Sequence, residues 1–457
     1  MNVWSPNLKA LRSLKNSLVQ FMTSSPSVPE TLSAEKSGGK NAMIFVLLTV
    51  MINSIGFGIM IPVLPDLLKE LSGLGNSDAV IHGGYLTLVF AVMQFIAMPV
   101  IGALSDSYGR RPVMLFSLFG LALDYFIMGF APTLAFLYLG RIIAGGTAAT
   151  FSTANAYIAD ISPPETRAQN FGLVGALFGV GFMLGPVIGG LLGEYGPRVP
   201  FIAAGILSMM NVVFGYFVLP ETLAPEKRRA FSWKRANPFG ALLSLGKIIG
   251  VKGLIFVTFL LALAHTVYPT TYTFTMNEAF GWDSQDVGWS LGAFGIASII
   301  VQGGLIRIII PKIGLYWAGI IGIVSAIIAY AMMGGANAGW IIYAAGPFAA
   351  FAGLAGPSIN NMMSSRISDS EQGELQGALG AAQGLAMMAG PLLMTHTFQR
   401  FTEDSAPLYI AGAPFIVAAV LAVFALLMFF VVTTKADRNA RYEKPMPAKT
   451  TEPEPTQ

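Results

Sequence analysis

Twelve separate apolar runs, each near the twenty residues a helix needs to cross a bilayer, dominate this 457-residue chain and leave few architectures open to it. Their approximate limits are 43–65, 83–104, 113–131, 133–155, 170–193 and 200–219, then 253–275, 287–306, 313–333, 338–360, 376–397 and 408–433. Hydrocarbon offers backbone N–H and C=O groups no water, so apolar runs of this length must be helices. The expected fold is an all-α membrane protein with twelve transmembrane helices. Only 11% of the residues are charged, against about 25% in a soluble domain.

The placement of Lys and Arg orients these spans. If both termini are cytoplasmic, 23 of the 27 basic residues fall on the inner side, and outer loops keep only Lys69, Arg198 and Arg400. That asymmetry is the positive-inside pattern. A weak internal repeat divides the spans into two six-helix halves: Ile161-Ser162, Glu165, Gly172 and Gly185-Pro186 recur as Ile367-Ser368, Glu371, Gly377 and Gly390-Pro391, about 205 residues on. Repeats of this kind are related by an axis along the membrane normal, with a substrate site between them near the midplane. The expected organisation is a cytoplasmic tail (1–41), a first half (42–219), a basic cytoplasmic linker (220–252), a second half (253–433) and a disordered C-tail (434–457). In the first tail Leu8, Leu11, Leu18 and Met22 share a helical face beside Lys9, Arg12 and Lys15, which suits a helix lying on an anionic membrane surface; a mostly disordered tail with one transient helix is the alternative.

Composition excludes several function classes. Zero cysteines remove disulfides, thiolate catalysis and Cys-ligated zinc. His82, His265 and His396 are widely separated, so no metal-site spacing is present. The net charge of +3 is spread over loops and tails, not gathered into a face that could track nucleic acid. No nucleophile–base pair or phosphate-cradling loop is evident, so neither an enzyme nor a cofactor is expected.

Charge inside the spans carries the functional signal. Asp124 lies roughly 16 Å along a helix from Val113, near the middle of a hydrocarbon core about 30 Å thick. Arg141 lies about 12 Å from the outer end of the fourth span and reaches a similar depth. An ionisable group at that depth is costly and marks an ion or substrate path. Burial favours the neutral acid and a neighbouring guanidinium favours the carboxylate, so the protonation of Asp124 can follow conformation. A static ion pair fixing two helices is the alternative. In the fifth span Gly181, Gly185 and Gly189, with Gly190, leave a smooth stripe for close backbone approach, and Pro186 permits a kink.

The loop Gly102-x-Leu104-Ser105-Asp106-x-x-Gly109-Arg110-Arg111-Pro112 resembles the signature loop between the second and third helices of the major facilitator superfamily. Gly56-x-Gly58 with Pro62-Val63-Leu64-Pro65, Arg141 with Gly145-Gly146, and Gly181-x-x-x-Gly185-Pro186-x-x-Gly189-Gly190 resemble further motifs of its drug/proton antiporter branch, in the same order. The likeness covers roughly residues 42–433 and is greatest to bacterial tetracycline exporters. It implies the twelve-helix major facilitator fold, a multi-pass place in the bacterial inner membrane, and proton-coupled export of a small organic or drug-like compound by alternating access. It also implies a proton carrier at Asp124 modulated by Arg141, a cytoplasmic gate at Gly102, Asp106, Gly109, Arg110 and Arg111, and membrane lipid and protons as partners of a monomer. The chain departs from those exporters in three places: Asn53 stands where they carry a first-helix acid, neutral residues surround Val324 and Ser325 where they carry another, and Ser298 replaces a histidine of some of them. These departures count against metal-chelated tetracycline as substrate.

Polar side chains within spans complete the candidate cavity: Asn53, Gln94, Asn155, His265, Tyr268, Tyr272, Gln302, Asn360 and Gln383. The seventh span, rich in hydroxyls and aromatics and broken by Pro269, suits an amphiphilic guest. Two other functions remain open at this point, a carrier of a metabolite such as a sugar or natural product, and a transporter-like protein that moves nothing.

Overall fold

The computed structural model describes residues 33–233, 236–237, 251–433 and 437, all without a β-strand. The candidate surface helix near Leu8–Met22, nearly half of the linker and nearly all of the C-tail lie outside the described residues. The first half is built from α1 (Ser33–Ser72), α2 (Asn76–Tyr108), α3 (Arg110–Phe130), α4 (Leu134–Thr147), α5 (Thr150–Ile161), α6 (Pro164–Gly193) and α7 (Val199–Val218). The second comprises α8 (Lys252–His265), α9 (Val267–Phe280), α10 (Ser284–Ile299), a π-helical segment Ile300–Leu305, α11 (Ile306–Gly334), α12 (Gly339–Ala352), α13 (Ala355–Ser364), α14 (Gln372–Thr402) and α15 (Ala413–Val432).

Eleven stretches among the described residues are long and apolar enough to cross a membrane, within a few residues of the expected limits at most ends. The first helix is the main exception, starting at Ser33 inside the expected tail. Three spans are helix pairs with a break between them. α4 and α5 part at Ala148–Ala149, and α12 and α13 part at Gly353–Leu354. α8 and α9 part at Thr266, where Pro269 lacks the N–H that the carbonyl of His265 needs and its ring crowds that carbonyl.

The longest stretch, Ser284–Gly334, has 51 residues, roughly 76 Å as continuous helix and far beyond one bilayer crossing. Its backbone leaves the helical region at Gly314 (φ 81°, ψ 166°). The turn between α2 and α3 does the same at Gly109 (φ 109°, ψ 162°). Both positions need the positive φ that glycine supplies without strain, and they stand 205 residues apart, the interval of the sequence repeat.

Close glycine contacts hold the first half together. A Cβ at Gly181, Gly185 or Gly189 would come within 2.5 Å of the carbonyl oxygens of Met51, Ile55 and Ile59, so α6 lies on α1 in a four-residue register. Between membrane helices, where lipid removes the usual hydrophobic drive, such close packing supplies the adhesion. In the second half Tyr268 stacks on Phe294 with ring centroids 5.8 Å apart and lies 5.8 Å from Tyr330 and 5.9 Å from Phe415, joining α9, α10, α11 and α15.

Among the described residues, the hydrogen bonds between the halves gather at one end. There Asn76 donates to the carbonyl of Phe274 (3.0 Å) and to Glu278 (2.9 Å), and Ser77 to the carbonyl of Thr402 (2.9 Å). Ser284 donates to Asp66 (2.8 Å), and Gln399 to Asp78 (2.9 Å). At the other end a Cβ on Gly102, Gly172, Gly175 or Gly179 of the first half, or on Gly303, Gly304, Gly373, Gly377 or Gly380 of the second, would meet nothing within 4 Å. One end is latched, and the end bearing the Gly109 turn is open.

Candidate functional site

Asp124 on α3 and Arg141 on α4 form a buried ion pair. Asp124 is fully buried and Arg141 is 6% exposed. The guanidinium grips the carboxylate with two hydrogen bonds, Nη2 to Oδ2 and, at 3.3 Å, Nε to Oδ1. Small residues permit this: a Cβ on Gly140 would come within 2.6 Å of Asp124 Oδ1. The remaining guanidinium contacts are soft, with Nη1 3.3 Å from the sulfur of Met60, Nη2 3.0 Å from that of Met128, and the ring of Phe90 5.7 Å away. Among the described residues Arg141 is the one ion-pair partner of Asp124.

Arg141 also forms part of the wall of a cavity of about 50 Å³ between the halves, whereas Asp124 stands behind it. Phe57, Met60, Phe90 and Met128 line it from the first half, and Pro269, Thr270, Thr273, Phe274 and Met387 from the second. This volume admits a few water molecules. None of the nine expected polar liners reaches it. Tyr268 and Tyr272 are buried inside the second half, where Tyr272 shares a 2.9 Å hydrogen bond with Ser290. His265, Gln302, Asn360 and Gln383 are exposed, and Asn53, Gln94 and Asn155 are half-buried. A sequence pattern shows that a side chain lies in a span but not which neighbour its face meets.

The loop at the open end forms a charged knot. Arg110 donates to Asp106 (2.6 Å), one turn earlier, and to Asp160 at the end of α5 (3.3 Å). Glu221, just beyond α7, accepts from the backbone N–H groups of Arg110 (2.9 Å) and Arg111 (3.2 Å), capping the positive end of α3. Gly109 is doubly required, by its φ and because a Cβ there would lie 2.1 Å from Glu221. Gly102 faces open space in the same region. These contacts stay within the first half and its following segment, including Arg229 N–H to the Asp106 carbonyl (3.0 Å).

The family profile described as Major Facilitator Superfamily matches residues 46–391. The chain belongs to that superfamily. Its relatives include the class C tetracycline resistance protein of Escherichia coli, 38% identical over 356 residues, which cover 78% of this chain and 89% of the relative. The class D protein of Salmonella ordonez is 34% identical over 80% of this chain and 91% of its own length. Among solved structures, the human organic anion transporter MFSD10 (TETRAN) superposes with a TM-score of 0.65 at 24% identity, covering 86% of this chain and 99% of that one. The chain is a multi-pass membrane transporter of the major facilitator type, and its relatives and structural neighbours are transporters, not enzymes.

Within that family frame, two faces of α6 have separate tasks. The stripe of Gly181, Gly185 and Gly189 meets α1, as does the Pro186 ring beside Gly58, while Gly190 and the Pro186 carbonyl face the second half, where Gly190 abuts Ser284 and a Cβ on Gly288 would lie 2.6 Å from that carbonyl. Sequence reading missed Asp160 and Glu221. Each is a lone carboxylate at a span end, a place where charge costs little and therefore attracts no notice. It also missed the latch residues Asp66, Asn76, Asp78, Glu278, Ser284 and Gln399, whose partners lie 198 to 321 residues away.

Proposed function

We propose that this major facilitator transporter exports a small, drug-like organic compound in exchange for protons by alternating access. The observation that carries the reading is the buried Asp124–Arg141 pair in the wall between the halves. With Asp124 ionised the pair is neutral; one proton on the carboxylate leaves an uncompensated guanidinium facing the cavity. A positively charged guest and a proton then oppose each other at this site, which is the linkage that exchange requires. Asp124 is the proton carrier and Arg141 its modulator. Phe57, Phe90 and Phe274 with three methionine side chains favour a planar, polarizable guest. A drug-sized ligand needs roughly 300–1,000 Å³, so binding widens the gap between the halves.

In this reading the 51-residue stretch is two spans meeting at Gly314, which makes twelve, and both termini and the open end face the cytoplasm of a bacterium. Asp106, Arg110 and Arg111 form the cytoplasmic gate, with Gly102 and Gly109 allowing its approach, and the latch of Asn76, Glu278, Asp66 and Ser284 closes the outer side. The relatives' names point toward tetracyclines, but Asn53, Ser298 and the neutral Val324–Ser325 region remove the extra acids and histidine expected for a metal chelate, so other amphiphilic compounds are the better substrates. The test is a proteoliposome assay in which an imposed pH gradient drives a panel of dyes, antibiotics and sugars. Gradient-driven movement of an amphiphile that is lost in Asp124→Asn supports the proposal. Equal transport by the variant, or movement of sugars alone, refutes it.

A further inference from the structure

On the outer surface of the first half, α3 and α7 flank a groove of about 530 Å³ whose lining is wholly apolar and includes Phe126, Ile206, Met210, Val213, Phe214 and Phe217. From Ile206 to Phe217 it extends roughly 16 Å along α7, the depth of one leaflet of a hydrocarbon core about 30 Å thick. Its lower end leads to a cation. Phe217 packs edge-on against Tyr216 (5.4 Å between centroids). The guanidinium of Arg111 lies 5.5 Å from the centre of the Tyr216 ring and donates to the Tyr216 carbonyl (2.6 Å).

The charge of Arg111 has no match among the described residues. Its Nε is buried without a hydrogen-bond partner, and its guanidinium forms none of the ion pairs found there. Glu221 accepts from the backbone N–H groups of Arg110, Arg111, Thr222 and Leu223 and forms no ion pair with the Arg111 side chain. An apolar trough one leaflet deep, ending at aromatic rings and an unneutralised guanidinium, matches a lipid with a negative headgroup.

We propose that the α3–α7 groove binds an anionic phospholipid, an acyl chain lying along Phe214 and Phe217 and the headgroup phosphate meeting the Arg111 guanidinium. Arg111 adjoins Arg110, so occupancy ties the open-end loop to the charge of the leaflet beside it. This inference does not depend on the substrate or on proton coupling.

The experiment measures the thermal stability and particle size of the full chain in detergent with dioleoyl phosphatidylglycerol, dioleoyl phosphatidylcholine or inorganic phosphate added. The expected result is a Tm higher by roughly 2 °C in phosphatidylglycerol than in phosphatidylcholine, no effect of phosphate, loss of the difference in Arg111→Gln, and loss of both lipid effects in the groove-filling Val213→Trp. Phe217→Ala serves if Arg111→Gln does not fold, and should weaken both lipids. The proposal is overturned if phosphatidylcholine stabilises equally, if Arg111→Gln keeps the preference, if phosphate alone reproduces the shift, or if Val213→Trp converts a dimer to a monomer, which would make a second copy the occupant.

Discussion

At the residue scale, Asp124 and Arg141 set what this transporter can do. Removing one partner of a buried pair leaves the other charge uncompensated, at a cost of about 3–5 kcal/mol. Asp124→Asn should therefore lower the Tm as well as abolish proton-driven transport. The double variant Asp124→Asn/Arg141→Gln should recover much of the stability but none of the transport, which separates a proton carrier from a mere fastener. Gly109→Ala should destabilise the open-end loop by at least about 1–2 kcal/mol, because it combines a positive φ with a clash against Glu221. The ion pair was legible in the sequence because charge in mid-membrane is too costly to occur idly. Asp160 and Glu221 were not, because carboxylates at span ends are cheap and their roles emerge only when segments 50 and 111 residues away arrive beside Arg110.

At the scale of elements, hydrophobic length identified nearly every span, since hydrocarbon permits little but helix over such runs. Breaks and faces were harder. The seventh span parts at Thr266, near the Pro269 that the sequence flagged, yet the break between α4 and α5 has no proline within it. The glycine stripe of α6 was readable as a stripe, but its partner α1 was not. Gly185→Val should destabilise the first half by at least about 2–3 kcal/mol, because the added carbons would press on the Ile55 carbonyl and on Gly58 with no flexible side chain to yield. A thermal-unfolding series of Ala and Val at this site measures it, with the exposed Gly175 as the site where Ala should be near neutral for folding.

At the scale of the whole molecule, the halves are joined by polar contacts at the latched end and parted at the other. Tyr409, on the loop before α15, donates to Glu278, which also receives Asn76 from the first half. Burial, reinforced by that hydrogen bond, pushes the Tyr409 phenol up to about 12, from about 10 in an unfolded chain. The neutral phenol is thus the favoured folded form. Its contribution is complete below about pH 10 and is lost as the pH rises through about 12. A Tyr409→Phe variant should be less stable than wild type at neutral pH, and the gap should close over that alkaline interval in a Tm-versus-pH series.

The central claim is that a proton on Asp124 biases which end of the molecule is open, and it can be tested without a substrate. The chain contains no cysteine, so Gly172→Cys and Gly304→Cys can carry spin labels across the open end with no background to remove. Electron–electron distance measurements in nanodiscs between pH 5 and 9 should give a distribution that shifts with pH in the otherwise wild-type chain and stays fixed when Asp124→Asn is added. A shift that persists unchanged in Asp124→Asn would contradict the account and leave the Asp124–Arg141 pair as a structural clasp.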